Sequence, residues 1–311
     1  MKDAGPQRAE GPARTGCSTR WQSDRRWESG AARAGFLKRN VRLFGNNVRV
    51  PFTLAHGAAA LPFRRLPLVF SGLLVGSFAP DFEYFLRLNP DDGFGHTLLG
   101  TFVLTLPLAL LVLWLFHTFV KLPVWRLLPD AVQCRLTNDL DEFGFHGLAR
   151  FALIVGSILL GIATHLAWDS FTHPNTWVYR HWSILSQTVH APIVGEIPLY
   201  KLFQHGSTVI GIGVLSIWLV LRYRATEPSC HALNPASPMR KVVTGGCVVT
   251  VALVGAMIRA VAAVGIPRGH PAEKRFVVLL VVTAIALIWW QLVIYGILAS
   301  RNTASAHRAR R

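Results

Sequence analysis

The chain has 311 residues, of which 51% are hydrophobic and only 15% charged, and its mean hydropathy is +0.37. A soluble domain carries about 25% charged residues, and here the apolar excess lies in blocks, which excludes an ordinary water-soluble globule. The formal charge of +16 invites a nucleic-acid partner, but Arg and Lys fall mostly in the N-terminal arm, the short loops and the tail RNTASAHRARR. Membrane topology asks for basic residues in such places, no nucleic-acid recognition motif is present, and that partner is set aside.

Residues 1–49 are rich in Arg, Gly and Ala, with little apolar periodicity and no signal-peptide core. They read as a disordered basic arm. The organised sequence begins at PFTLAH, just after Val50. Valine can mark an alternative GTG start codon, so residues 1–49 are expected to be a mis-assigned start. A native peptide recovered from inside them by mass spectrometry would refute this.

A membrane-spanning helix needs about 20 largely apolar residues. Segments 97–120, 149–170, 207–224, 242–266 and 276–300 qualify. In the first, Pro107 predicts a kink; in the fourth, Arg259 lies near one end, where it can snorkel. Segment 66–80 is marginal, either a short span or a re-entrant helix. The expected fold is therefore all-α: a polytopic membrane bundle of five or six spans over residues 50–300, with a basic tail at 301–311. No internal repeat and no strand-like alternation stands out. Cys17, Cys134, Cys230 and Cys247 are scattered without CxxC spacing and read as isolated thiols.

The basic loops set the orientation. The 121–150 loop, the 222–241 loop and the tail share one side, expected to be cytoplasmic. Asp81, His96, His165, Asp169, His173 and His205 then fall together at the opposite, outer face. Arg64 and Arg65 join the basic side if 66–80 spans, and are exceptions if it is re-entrant. A true span at 66–80 would strand His56 across the membrane from the other polar residues.

The stretch GIATHLAWDSFTHP ends an apolar run with His165, Asp169 and His173 at four-residue steps. On a helix these three share an arc of about 80°, while His165 and His173 are about 12 Å apart along the axis. With ligand bonds of about 2 Å, one ion cannot take both histidines from a continuous helix. His165 and Asp169 can share one ion, leaving His173 to a second ion, a substrate or nothing. Pro174 also disfavours helix at His173. Ionisable groups at membrane depth usually face a polar interior. Four more segments add to the set: TLAHGAAALP carries His56, GSFAPDFEYF carries Asp81 and Glu83, GFGHTLLG carries His96, and YKLFQHGSTVIG carries His205. Imidazole and carboxylate gathered from separate helices suit zinc or a related divalent metal. Each of these residues taken alone is commoner as a structural group; it is the shared membrane face that joins them.

Taken in order, VPFTLAHGAAALP, GSFAPDFEYF, GHTLLG, GIATHLAWDSFTH and LYKLFQHGSTVIG resemble a bacterial family of integral membrane proteins known as a domain of unknown function. The resemblance is firm over residues 50–225 and looser over the last two spans. Gly57 and Gly95 stand where the family pattern has Pro and Ser, and neither change removes a candidate ligand. More distantly, the order His, Pro-Asp, His-Thr, HxxxD is similar to that of bacterial inner-membrane metal-dependent hydrolases and the zinc-dependent phospholipase C and nuclease class. That likeness implies His56, Asp81, His96, His165 and Asp169 as metal ligands, with His173 and His205 as further ligands by order alone.

The leading expectation is thus a metal-dependent hydrolase at the membrane surface, with Glu83 either behind the ligands or acting as general base, and a phosphoester or lipid headgroup as substrate. A transporter using the His/Asp cluster as an ion or proton site, and a structural membrane protein braced by it, are the alternatives. Neither GxSxG nor GxGxxG nor a P-loop occurs, which argues against a serine hydrolase or a nucleotide cofactor.

Overall fold

The structure, a computed structural model, describes residues 53–89, 93–140, 143–174, 176–191, 195–229 and 237–308. The expectation for residues 1–49 lies outside them. Among the described residues, five helices are long and apolar enough to cross a membrane: α2 (Leu98–Leu127), α3 (Leu148–Thr172), α4 (Leu199–Ala225), α5 (Pro238–Val264) and α6 (His270–Arg308). The protein is an all-α, multi-pass membrane bundle. Helix α6 continues into the stretch read as a tail. Helix α4 starts before the expected span, because LYKLFQ is too polar to register as membrane-buried yet still propagates the helix.

Segment 66–80 does not cross. Its helix α1 (Phe70–Phe78) has nine residues, about 14 Å of rise, against a hydrocarbon core of about 30 Å. It forms one leg of a hairpin. The other leg is a chain of short helical turns, Thr53–His56, Gly57–Ala60 and Leu61–Arg65. The open ends meet where the Thr53 hydroxyl donates to Asp81 Oδ2 at 2.7 Å. The closed end points the other way, with the Arg64 guanidinium 6.0 Å from the Trp218 ring and Ser71 Oγ 3.1 Å from His117 Nε2. Arg64 therefore reaches toward the basic end of α4 while His56 stays beside Asp81, so the re-entrant shape does not make Arg64 an exception.

The core lies between α1, α2 and α3, around Ala109, Leu113, Ile154, Ile158 and Ile162. Two glycines set the approach of α1 to α3. A Cβ at Gly76 would fall on the Ile158 carbonyl, and one at Gly161 on the Leu73 carbonyl and the Ser77 amide. Ser157 locks the start of α1 by accepting from the Val69 amide at 2.9 Å and donating to the Leu153 carbonyl. Pro107 has no N–H for the Val103 carbonyl, and the wide π-turn Thr101–Thr105 lies just before it.

Helices α5 and α6 form a second pair, with Ala252, Ala256 and Ala260 as the buried stripe of α5. A short hairpin, β1 (Thr188–Ala191) against β2 (Gly195–Pro198), had no signature in the sequence. At the basic end, Lys241 donates to the Leu128 carbonyl at 3.0 Å and pairs with Asp130, and Arg222 holds both oxygens of Asp139 at 2.6 and 2.8 Å. Cys134 is disulfide-bonded, which corrects the reading of isolated thiols; Cys247 is a free, exposed cysteine.

Candidate metal centre

The glycine contact between α1 and α3 places the first donor. One turn beyond Gly161, the fully buried His165 ring donates Nδ1–H to the Ser77 carbonyl at 2.8 Å. That bond commits Nδ1 and turns Nε2 toward the cluster, the arrangement by which metal-ligating histidines are usually oriented. Asp169 follows one turn later on the same face. Helix α3 ends at Thr172, and His173 is extended at φ −124°, ψ 145°, as Pro174 predicts. Freed from the helix, the His173 ring turns back, with Nδ1 3.2 Å from Asp169 Oδ1.

The re-entrant hairpin supplies two more donors, one from each leg. Asp81 is buried, and Thr53 occupies its Oδ2, so Oδ1 faces the cluster. Burial works to raise the Asp81 pKa, but the charge of His165 and the contact with His96 outweigh it and hold the carboxyl below its usual range. For His56, burial and then the neighbouring His165 push the pKa down to about 4. At neutral pH its ring is uncharged, the state in which imidazole binds a metal.

His96 sits on the turn Phe94–His96, just before α2. Both backbone groups of the preceding Gly95 are held. Its N–H donates to Glu83 Oε2 at 2.8 Å, and its carbonyl accepts from Thr105 Oγ1 at 3.0 Å, within the π-turn. The His96 ring also stacks on Tyr84, with centroids 5.6 Å apart.

Around this framework the donor atoms converge. His96 Nε2 lies 3.5 Å from Asp81 Oδ1 and 3.7 Å from Asp169 Oδ2. His165 Nε2 lies 3.7 Å from Asp81 Oδ1 and 3.3 Å from Asp169 Oδ2. His56 Nε2 is 3.5 Å from Asp169 Oδ1. Hydrogen bonds of this kind run at about 2.7–3.2 Å. Bonds of about 2.0–2.1 Å to a tetrahedral ion put donors about 3.3–3.4 Å apart. The four His96 and His165 contacts match the second spacing better than the first. The buried atoms His96 Nε2, His165 Nε2 and Asp169 Oδ1 have no hydrogen-bond partner, an arrangement that is costly for polar groups with nothing between them. Two three-residue groups, His56/His165/Asp169 and Asp81/His96/His165, each bring their donor atoms within 4.8 Å of one another. The residues fit a divalent cation.

The other expected site residues stand apart. His205 is exposed on α4; the residue that reaches the cluster is its neighbour Gln204, whose carboxamide is 3.2 Å from His173 Nε2. Adjacent helical positions differ by about 100°, so the sequence alone could not tell which of the two faces inward. Glu83 is buried, but its oxygens are engaged by the Gly95 amide and by Arg87 Nε at 2.7 Å. Thr53 and the Ser77 carbonyl, which orient two of the donors, carried no signal in the sequence.

No curated protein and no solved structure matches the chain. The hydrolase likeness therefore rests on the order of its residues. One family does match, over residues 50–297, under the description "Domain of unknown function (DUF4184)". With four-fifths of its length covered by that match, the chain belongs to the DUF4184 family.

Proposed function

We propose that this protein is a metal-dependent hydrolase of the bacterial cytoplasmic membrane, with its site at the outer face and its C-terminus in the cytoplasm. The observation that carries this reading is the meeting of Asp81, His96, His165 and Asp169 from three chain segments, at ligand-to-ligand spacing and with buried donor atoms that have no hydrogen-bond partner. A group that only braced helices would close to hydrogen-bond distance. Transport would call for a polar path through the bundle, whereas the last two helices offer chiefly Arg259 and Gln291. The mixed nitrogen and oxygen donors suit zinc first, then manganese or iron.

When bound, such a cation lowers the pKa of a water and polarises the scissile group. The chain's own part is to hold it. His165 and Asp81 are fixed by Ser77 and Thr53, and His96 by the hold on Gly95. Glu83 acts through that hold as a positioning residue, in place of the general-base role its sequence context suggested. The substrate is a phosphoester, with a lipid headgroup favoured. Leu98 and Leu99, just after His96, are 80% and 65% exposed, and Phe94 just before it is 40% exposed. An apolar rim of this kind seats an acyl chain beside the metal ligands.

The test is metal analysis of the purified full chain, with phosphodiesterase assays on a chromogenic diester and on phospholipid in mixed micelles. Stoichiometric metal and chelator-sensitive hydrolysis, both lost in His165→Ala, are expected. Absence of zinc, manganese and iron, with activity unchanged in His165→Ala, would overturn the reading.

A further inference from the structure

Four donors are ample for one ion, yet the cluster holds more. His56 Nε2, Asp169 Oδ1 and His173 Nδ1 remain, and they gather on the far oxygen of Asp169, 3.5 Å and 3.2 Å from it. The Asp169 carboxylate thus faces two histidine pairs: Oδ2 toward His96 and His165, Oδ1 toward His56 and His173.

The ring geometry separates the two sides. Imidazoles sharing a tetrahedral ion diverge from it, which places their centroids about 5 Å apart given bonds of about 2 Å. His96 and His165 fit this, at 5.5 Å and 59° between planes. His56 and His165 do not: their rings are stacked, 4.0 Å apart and only 22° from parallel. Both rings turn Nε2 toward the Asp169 carboxylate, His56 to Oδ1 and His165 to Oδ2, so the two nitrogens point side by side. The offset matches the separation of about 3.5–4 Å between cations in two-metal sites. His165 has a single free nitrogen, because Nδ1 is committed to Ser77, so it can serve only one of the two positions.

We propose that the cluster is built for two divalent cations that share Asp169: one held by Asp81, His96, His165 and Asp169 Oδ2, the other by His56, His173 and Asp169 Oδ1. The proposal rests on the metal reading above and extends it. The second position is the more open, having three protein donors where the first has four. Gln204 belongs to it: its amide nitrogen lies 3.2 Å from His173 Nε2, and in the reversed orientation open to a carboxamide its oxygen accepts the Nε2–H, so that His173 Nδ1 faces Asp169 as an acceptor. The Thr172 hydroxyl, 3.0 Å from the same Nδ1, limits how far the ring can turn.

The experiment counts ions. The full chain in detergent is stripped with chelator, reloaded with Zn2+, desalted, and its zinc measured against protein. Two zinc ions per chain are expected in the wild type, and half that in His56→Ala and in His173→Ala. One ion in the wild type that is lost in His165→Ala overturns the second position and leaves the hydrolase reading standing. No ion in the wild type overturns both. Two ions retained in both variants place the second ion elsewhere and overturn the assignment. Mn2+-loaded wild type gives a readout that needs no variant. An exchange-coupled electron paramagnetic resonance signal is expected from two ions sharing a carboxylate, and an isolated six-line spectrum at two ions per chain overturns the shared ligand.

Discussion

The half of the bundle that holds the cluster and the α5–α6 pair meet the same apolar solvent with opposite constructions. Helices α5 and α6 are long and uninterrupted, joined along the alanine stripe 252–256–260, with Gln291 tied to the Val248 carbonyl at 3.2 Å. The cluster half is made of pieces: a hairpin of short turns, a π-turn opening α2, and an α3 that stops at Thr172. One straight helix brings two donors, His165 and Asp169, to one side of an ion. The rest must come from chain segments aimed from other directions: the open ends of the hairpin, the turn before α2 and the end of α3.

The largest effect separating the halves is expected at His165, which belongs to both three-donor groups. His165→Ala should lower metal affinity by at least 100-fold, read by titration with Zn2+; an affinity within 3-fold of wild type would deny the cluster its centre. Next comes the glycine contact. Gly161→Leu forces α3 off α1 and should cost about 1–3 kcal/mol and metal affinity together, because Ser77 moves with α1. Ala256→Leu in α5 should cost a similar amount by thermal unfolding with metal content unchanged. Equal metal loss in both variants would erase the distinction between the halves.

A smaller effect is expected at Glu83. Glu83→Ala should lower metal affinity by roughly 10-fold, while Glu83→Gln, which keeps an oxygen for the Gly95 amide, recovers most of it and retains turnover. A general base would show the reverse, with metal retained and turnover lost in Glu83→Gln. The smallest effect belongs to the basic end. Arg222→Ala breaks a half-exposed ion pair with Asp139; it should cost about 0–1 kcal/mol and leave metal content as it was.

The long helices were legible because a run of about 20 apolar residues has few alternatives to crossing a membrane. His165 with Asp169 was legible from helical spacing, and the common end of Asp81 and His96 from the basic loops. The position of His56 was not. It depends on whether 66–80 crosses or folds back, and the contact that decides this, Thr53 on Asp81, joins residues 28 apart through a hydroxyl with no distinguishing context. Glu83 looked catalytic because an acidic residue near Pro-Asp invites that role; that its oxygens were already taken by Gly95 and Arg87 is a tertiary fact. His205 drew notice by its type, whereas the inward face of α4 is set by where the helix begins, at Leu199.

Because both legs of the hairpin open at the same end, it adds nothing to the count of crossings. Among the described residues the helices long enough to cross number five, an odd count, so Thr53 and Arg301 are expected in different compartments. Had α1 crossed, the parity would be even and the two would share one. A reporter that works only in the cytoplasm should therefore be active when fused at one of these points and silent at the other.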